Sequence, residues 1–153
     1  MINHVWSVLC SQATTDSETN NFSLQNIIER LTIFDSPKSG GRIKIHIEVA
    51  SFWIRSEPEL PTHGDFRLSY ITPSGNAFGV FEGKINLSEK EVSRNRVVFE
   101  ELPVEEEGRH NFKIDLKNEN SDEWLQVALI PLSIIFSPPD NKEDNEEVAP
   151  MAT

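Results

Sequence analysis

The chain has 153 residues, 37% hydrophobic and 25% charged, which is enough for one globular domain with a sizeable core. Its formal net charge of -11 repels phosphate backbones and anionic membrane surfaces, so nucleic acid and membrane are not expected partners. Beyond Ser137 five acids face only Lys142, which puts -4 of that charge in the C-terminal tail and leaves -7 on the rest.

In chain order, His4 to Gln12 reads as a first strand with apolar residues on both parities: Val5 and Leu9 on one, Trp6, Val8 and Cys10 on the other. A strand covered on both faces looks like this. Thr14 to Asn21 is a polar turn. Phe22 to Phe34 is ambiguous, because Leu24, Ile27, Ile28 and Leu31 also fit one helical face. The β-branched content favours a short strand and then a second one through Leu31-Thr32-Ile33.

Ser36 to Gly41 is a loop, and Ile43, Ile45, Ile47 and Val49 then alternate with Lys44, His46 and Glu48 as a half-buried strand. The alternation breaks at Phe52-Trp53-Ile54, where a bulge is expected. Phe66, Leu68 and Tyr70 form the next strand, and Thr72 to Asn76 turns it into a partner running Ala77 to Leu87. Gly79 and Gly83 inside that partner suggest a bulge or a close backbone approach. Ser88-Glu89-Lys90-Glu91 has the spacing of a capping box and predicts one helical turn.

Val97 to Pro103, and Gly108 to Leu116 with Phe112, Ile114 and Leu116 in alternation, are two more strands. Trp124 to Phe136 is the last, with Pro131 marking an edge position or bulge. The sum is an all-β antiparallel β-sandwich of about eight strands over residues 1–137, followed by a disordered acidic tail over 138–153. Mixed connection lengths favour Greek-key crossing over a uniform meander.

His4 to Cys10, the acidic asparagine-containing turn before Phe22-Ser23-Leu24, and the closing series Phe99, Leu102-Pro103, Gly108, Phe112-x-Ile114 together resemble an uncharacterised family of small bacterial β-sandwich proteins, a domain of unknown function. The resemblance runs from about Val5 to Phe136. It implies an immunoglobulin-like or C2-like sandwich and brings no catalytic or ligand residues with it. Arg109-His110-Asn111 stands where a tyrosine corner would be, so that device is not expected.

Cys10 is the only cysteine, which excludes an intrachain disulfide and favours a reducing, cytoplasmic setting. The N-terminus lacks the charged and apolar regions of a secretion signal. His4, His46, His63 and His110 show no zinc-type spacing, and no nucleophile elbow, phosphate loop or dinucleotide fingerprint is present. No catalytic residue, metal or cofactor is therefore assigned.

The leading expectation is a non-enzymatic interaction module that presents loops or an edge strand to a protein partner, or to itself as a homo-oligomer. Phe52, Trp53 and Ile54 are the candidate contact surface, with Trp53 exposed or tucked inward by the bulge. A calcium- or small-ligand-binding sandwich is the alternative, with Glu105, Glu107, Asn118, Asn120 and Asp122 as candidate oxygen donors, against the plainer reading of a solvated acidic rim. An enzyme whose residues converge only in three dimensions is a further alternative.

Overall fold

The computed structural model describes residues 1–34 and 41–137. The tail expected to be disordered, and the predicted loop apart from Gly41, lie outside those residues. Among the described residues nine strands are formed: β1 (Ile2–Thr15), β2 (Phe22–Ile27), β3 (Arg30–Ile33), β4 (Arg42–Arg55), β5 (Thr62–Ile71), β6 (Ala77–Leu87), β7 (Val92–Pro103), β8 (Gly108–Asn118) and β9 (Leu125–Phe136). They make two sheets, in the orders β2-β1-β4-β7 and β3-β9-β8-β5-β6. The fold is an all-β sandwich. Every pairing is antiparallel except β3 with β9, which is parallel.

The interior forms where the period-two faces of the two sheets meet. Leu9, Ile47, Val49 and Trp53 from one sheet join Leu68, Tyr70, Phe112, Ile114, Leu132 and Ile134 from the other in a single apolar cluster. The ambiguous segment is extended: Asn26, at φ 58°, lies within β2, and the Ile28 amide still donates to Leu9 of β1 before the chain passes to β3 in the other sheet. The helical turn expected at Ser88–Glu91 does not form. The Asn86 side chain accepts from the Ser88 amide at 2.9 Å, and Arg55 donates to the Leu87 carbonyl at 2.9 Å and the Ser88 carbonyl at 3.3 Å. Those bonds hold the backbone in a turn that competes with a helix start.

Bulges sit close to the sequence breaks, but not always on the expected strand. The register between β1 and β4 shifts between His4 and Trp6, opposite Trp53 and Phe52. The extra residue is thus Val5 on β1, not a residue of β4. It lets His4, Ser7 and Leu9 face inward while Trp6, Val8 and Cys10 face out. On β6 the shift falls at Gly79, whose φ of 58° suits glycine. Gly83 marks a close approach, since a Cβ there would lie 2.5 Å from the Phe66 ring. Pro131 is at an edge: β3 pairs with β9 only from Ser133 onward, and the Ser133 amide donates toward that side, to Glu29. Two residues earlier, the donor-less nitrogen of Pro131 points the same way.

Trp53 corrects the expected contact surface. It is 0% exposed, packed edge-on to His4 at 5.1 Å and against Phe66 at 6.1 Å. It points inward in the unbroken alternation of β4, in phase with Ile47 and Val49, so it cannot be shown to a partner. Phe52 and Ile54 are half-buried on the opposite face. No tyrosine stands at Arg109–Asn111, but Tyr70 donates from β5 to the Pro103 carbonyl at 3.0 Å and stacks on the buried His110 ring. Burial pushes its phenol well above the ordinary range.

Replacing Trp53 by alanine is expected to cost about 3 to 5 kcal/mol of folding stability, as for other aromatic deletions from a packed core. Urea unfolding would measure it, and a loss below about 1 kcal/mol would contradict this placement of the indole.

Candidate functional site

Part of the outer face of the four-stranded sheet is covered. Cross-strand register sets Trp6 beside Phe52 and Arg94, Val8 beside Ala50 and Arg96, and Cys10 beside Glu48 and Val98. Beyond Cys10, β1 leaves β4 and continues as one arm of the β1–β2 hairpin, which lies over this face. Cys10, Ala13 and Ala50 are buried beneath it, with Trp6, Phe22 and Leu24 packed around them. Trp6 contacts Phe52 at 5.7 Å and Phe22 at 6.4 Å between ring centres.

One carboxylate fastens the hairpin. Glu48 is 2% exposed, and its Oε1 accepts from the Ala13 amide at 3.0 Å and from Arg96 at 3.2 Å. Its Oε2 meets His46 Nε2 at 2.7 Å, while His46 Nδ1 reaches Glu100 at 3.0 Å. Arg96 also donates to the Ala13 carbonyl at 3.1 Å, and Arg94 donates to the Asn20 carbonyl at 2.7 Å while lying 4.4 Å over the Phe22 ring. Burial pushes the Glu48 carboxyl up, but His46, the Ala13 amide and Arg96 outweigh it and hold it below its ordinary value. Hydrogen bonds that the His46 ring donates to Glu48 and Glu100 raise its pKa. Burial and the Glu48 charge push the Cys10 thiol up, so it stays protonated and unreactive.

Between the hairpin and β7 lies a groove of about 810 Å³. The hairpin contributes Gln12 to Thr15, Asn20 and Phe22; β7 contributes Val92 to Arg96; Asn86, Glu89 and Lys90 close one end. Three cations and one acid line it, so it is locally positive on an acidic chain. β7 is the edge of its sheet. An unpaired strand edge thus borders a concave, positively charged, amide-rich surface, which can hold an extended segment by backbone and charge contacts.

A second polar feature crosses the inner face. Ser7, Ser51 and Asn95 stand in one cross-strand row. His4 Nε2 lies 2.7 Å from the Ser7 hydroxyl, which lies 2.7 Å from the Ser51 hydroxyl. Burial lowers the His4 pKa, which keeps the ring neutral at pH 7. The Asn95 amide and Trp53 Nε1 are buried without a hydrogen-bond partner among the described residues.

The acidic candidates do not converge. Glu105 and Glu107 lie before β8, and Asn118, Asn120 and Asp122 lie at its far end. The eleven residues of β8 hold the two groups about 35 Å apart. Glu107 is spent on the Phe136 amide at 2.6 Å and Asn118 on the Ile2 amide at 2.8 Å. Among the described residues no group of three His, Cys, Asp or Glu side chains is placed to hold a metal ion. Glu48, Arg94 and Arg96 were not singled out in the sequence. The signal for Glu48 was weak: an acid in the middle of the most regular strand, opposite an apolar first strand.

No family model matches the chain, and no curated protein matches it. Solved structures similar to it include a family 123 glycoside hydrolase from Clostridium perfringens, at TM-score 0.40 and 8% identity, covering 90% of this chain and 28% of that one. The periplasmic chaperone SfaE aligns at TM-score 0.35 and 7% identity, over 72% of this chain and 55% of that one. The N-terminal domain of PorA aligns at 0.30 and 11%, over 86% and 97%. At these scores none carries an argument about what this chain does.

The hairpin fastening sets a pH window. Glu48 has a lowered folded-state pKa, so its contribution is present above 4.5 and is lost as pH falls through the folded value. His46 has a raised one, so its contribution is complete below 6.5 and is lost as pH rises through the folded value. Protection of the Ala13 amide from hydrogen exchange, corrected for the intrinsic rate, should peak between those titrations and fall on both sides. Protection that does not change from acid to alkaline pH would refute the fastening.

Proposed function

We propose that the chain is a non-enzymatic binding module that holds an extended, acidic segment of a protein partner in the groove between the β1–β2 hairpin and β7. The observation that supports this most is a coincidence of place. The concave surface, the open edge strand and the cations Lys90, Arg94 and Arg96 meet at one position. Backbone groups of β7 supply sequence-independent pairing, and the cations select carboxylates. Arg94 and Arg96 also hold the hairpin, so the walls of the groove are built before the partner arrives, which lowers the ordering cost of binding. A reducing cytoplasmic setting, suited to the lone buried thiol of Cys10, and membership of the bacterial family that the sequence resembles belong to the same reading.

Lys90 is the clean position for a test, because it is exposed and takes no part in fastening the hairpin. A labelled oligoglutamate peptide is the probe, followed by fluorescence anisotropy. It should bind the full chain at low salt and weaken as salt is raised. Lys90→Glu should weaken it by about five-fold, the scale of an exposed charge pair. No binding at low salt, or equal binding to both chains, would overturn the proposal.

A further inference from the structure

We infer that the chain forms a two-fold homodimer through the uncovered edge of β1, pairing the segment from Asn3 to Val8 antiparallel with the same segment of a second copy. β2 pairs with β1 only from Cys10 to Thr15. The side of β1 away from β4 is tethered at two points, where the Ile2 amide donates to Asn118 at 2.8 Å and the Leu9 carbonyl accepts from Ile28 at 2.9 Å. Backbone groups on one side of a strand belong to alternate residues, and the Val5 bulge carries that sense from Ile2 and His4 across to Ser7 and Leu9. His4 and Ser7 therefore direct their amides and carbonyls to the open side.

Charge says what covers it. A quarter of the chain is charged, and β4, β5, β6, β7 and β8 each carry at least two charged residues. β1 and β9, of 14 and 12 residues, carry no Asp, Glu, Lys or Arg at all. The far edges are guarded in the usual way, by Glu82 and Lys84 on β6 and by Arg94, Arg96, Glu100 and Glu101 on β7. The β1 edge lacks that charged guard, and Val5 on it and Ile27 of the paired β2 are exposed apolar side chains. A two-fold contact sets residues near the axis against their own copies, so any charge there would meet its like. In a chain of net charge -11, an edge free of ionised carboxylates is the composition that self-pairing requires.

The neighbouring edge limits the assembly to a closed pair. Pro131 offers no donor toward the open side of β9. A copy can add to β1, but continued growth along β9 is blocked.

Sedimentation equilibrium and light scattering of the full chain over a wide concentration range provide the test. The expected species has twice the 17.4 kDa chain mass. Val5→Lys, which sets two lysines near the axis, should return it to a monomer. Val98→Lys, on β7 at a matched exposure of 41% against 45% for Val5, should leave the dimer intact. A wild-type monomer at every concentration, a dimer that survives Val5→Lys, or a dimer lost in both variants would each overturn the inference. The wild-type chain supplies a second readout that needs no variant: exchange at the His4 and Ser7 amides should slow as concentration rises. Concentration-independent exchange there would overturn it equally.

Discussion

A carboxylate buried on the outer face of β4 is the constraint from which the rest of this structure follows. Glu48 is 2% exposed, and an ionised carboxylate in that setting is tolerated only when its lone pairs are taken. Three donors take them: the Ala13 amide, Arg96 and His46. Ala13 belongs to β1 and Arg96 to β7, which flank β4 on opposite sides. Satisfying one side chain therefore draws the end of β1 across the face of the sheet toward the far edge strand. Removing one donor from such a group costs about 1 to 3 kcal/mol, because the carboxylate left short of a partner stays buried.

Two surfaces arise from that bend. Where β1 crosses the sheet, the hairpin and β7 enclose the groove, with Phe22 under Arg94 as one wall. Where β1 pairs with β4, before Cys10, its outer edge loses β2, because β2 follows the bent end and stops pairing at Cys10. The concave site and the open edge are thus two results of one distortion. Cys10 and Ala50, small residues beneath the hairpin, let it approach closely, and the stacked Trp6 and Phe52 fill the wider space beside them.

The parts of the fold legible in the sequence are those where burial is one-sided. Ile43, Ile45 and Ile47 in β4, and Phe112, Ile114 and Leu116 in β8, alternate cleanly because one face meets the core and the other meets water or charge. β1 was legible only as a strand covered on both faces, since a one-residue bulge at Val5 scrambles its parity. Trp53 was legible only as either exposed or inward, because its neighbours Phe52 and Ile54 are apolar too. The indole lies inside, in phase with Ile47 and Val49, and Phe52 packs on Trp6 on the other face. The capping box at Ser88 lost to a local competitor, the Asn86 side chain two residues earlier. Glu48 could not be read as buried from Lys44, His46 and Glu48 in alternation, because its cover comes from residues more than thirty positions upstream. The acidic candidates were close in type but not in space, since one full strand separates them.

The central claim is that Glu48 and Arg96 act on the hairpin as a unit. A double-mutant cycle with Glu48→Gln and Arg96→Gln, read by urea unfolding of the single and double variants, measures that directly. The account requires a coupling energy of about 1 kcal/mol or more, the double variant losing less than the sum of the two single losses. Losses that add to within about 0.5 kcal/mol would show two independent surface contacts and contradict it.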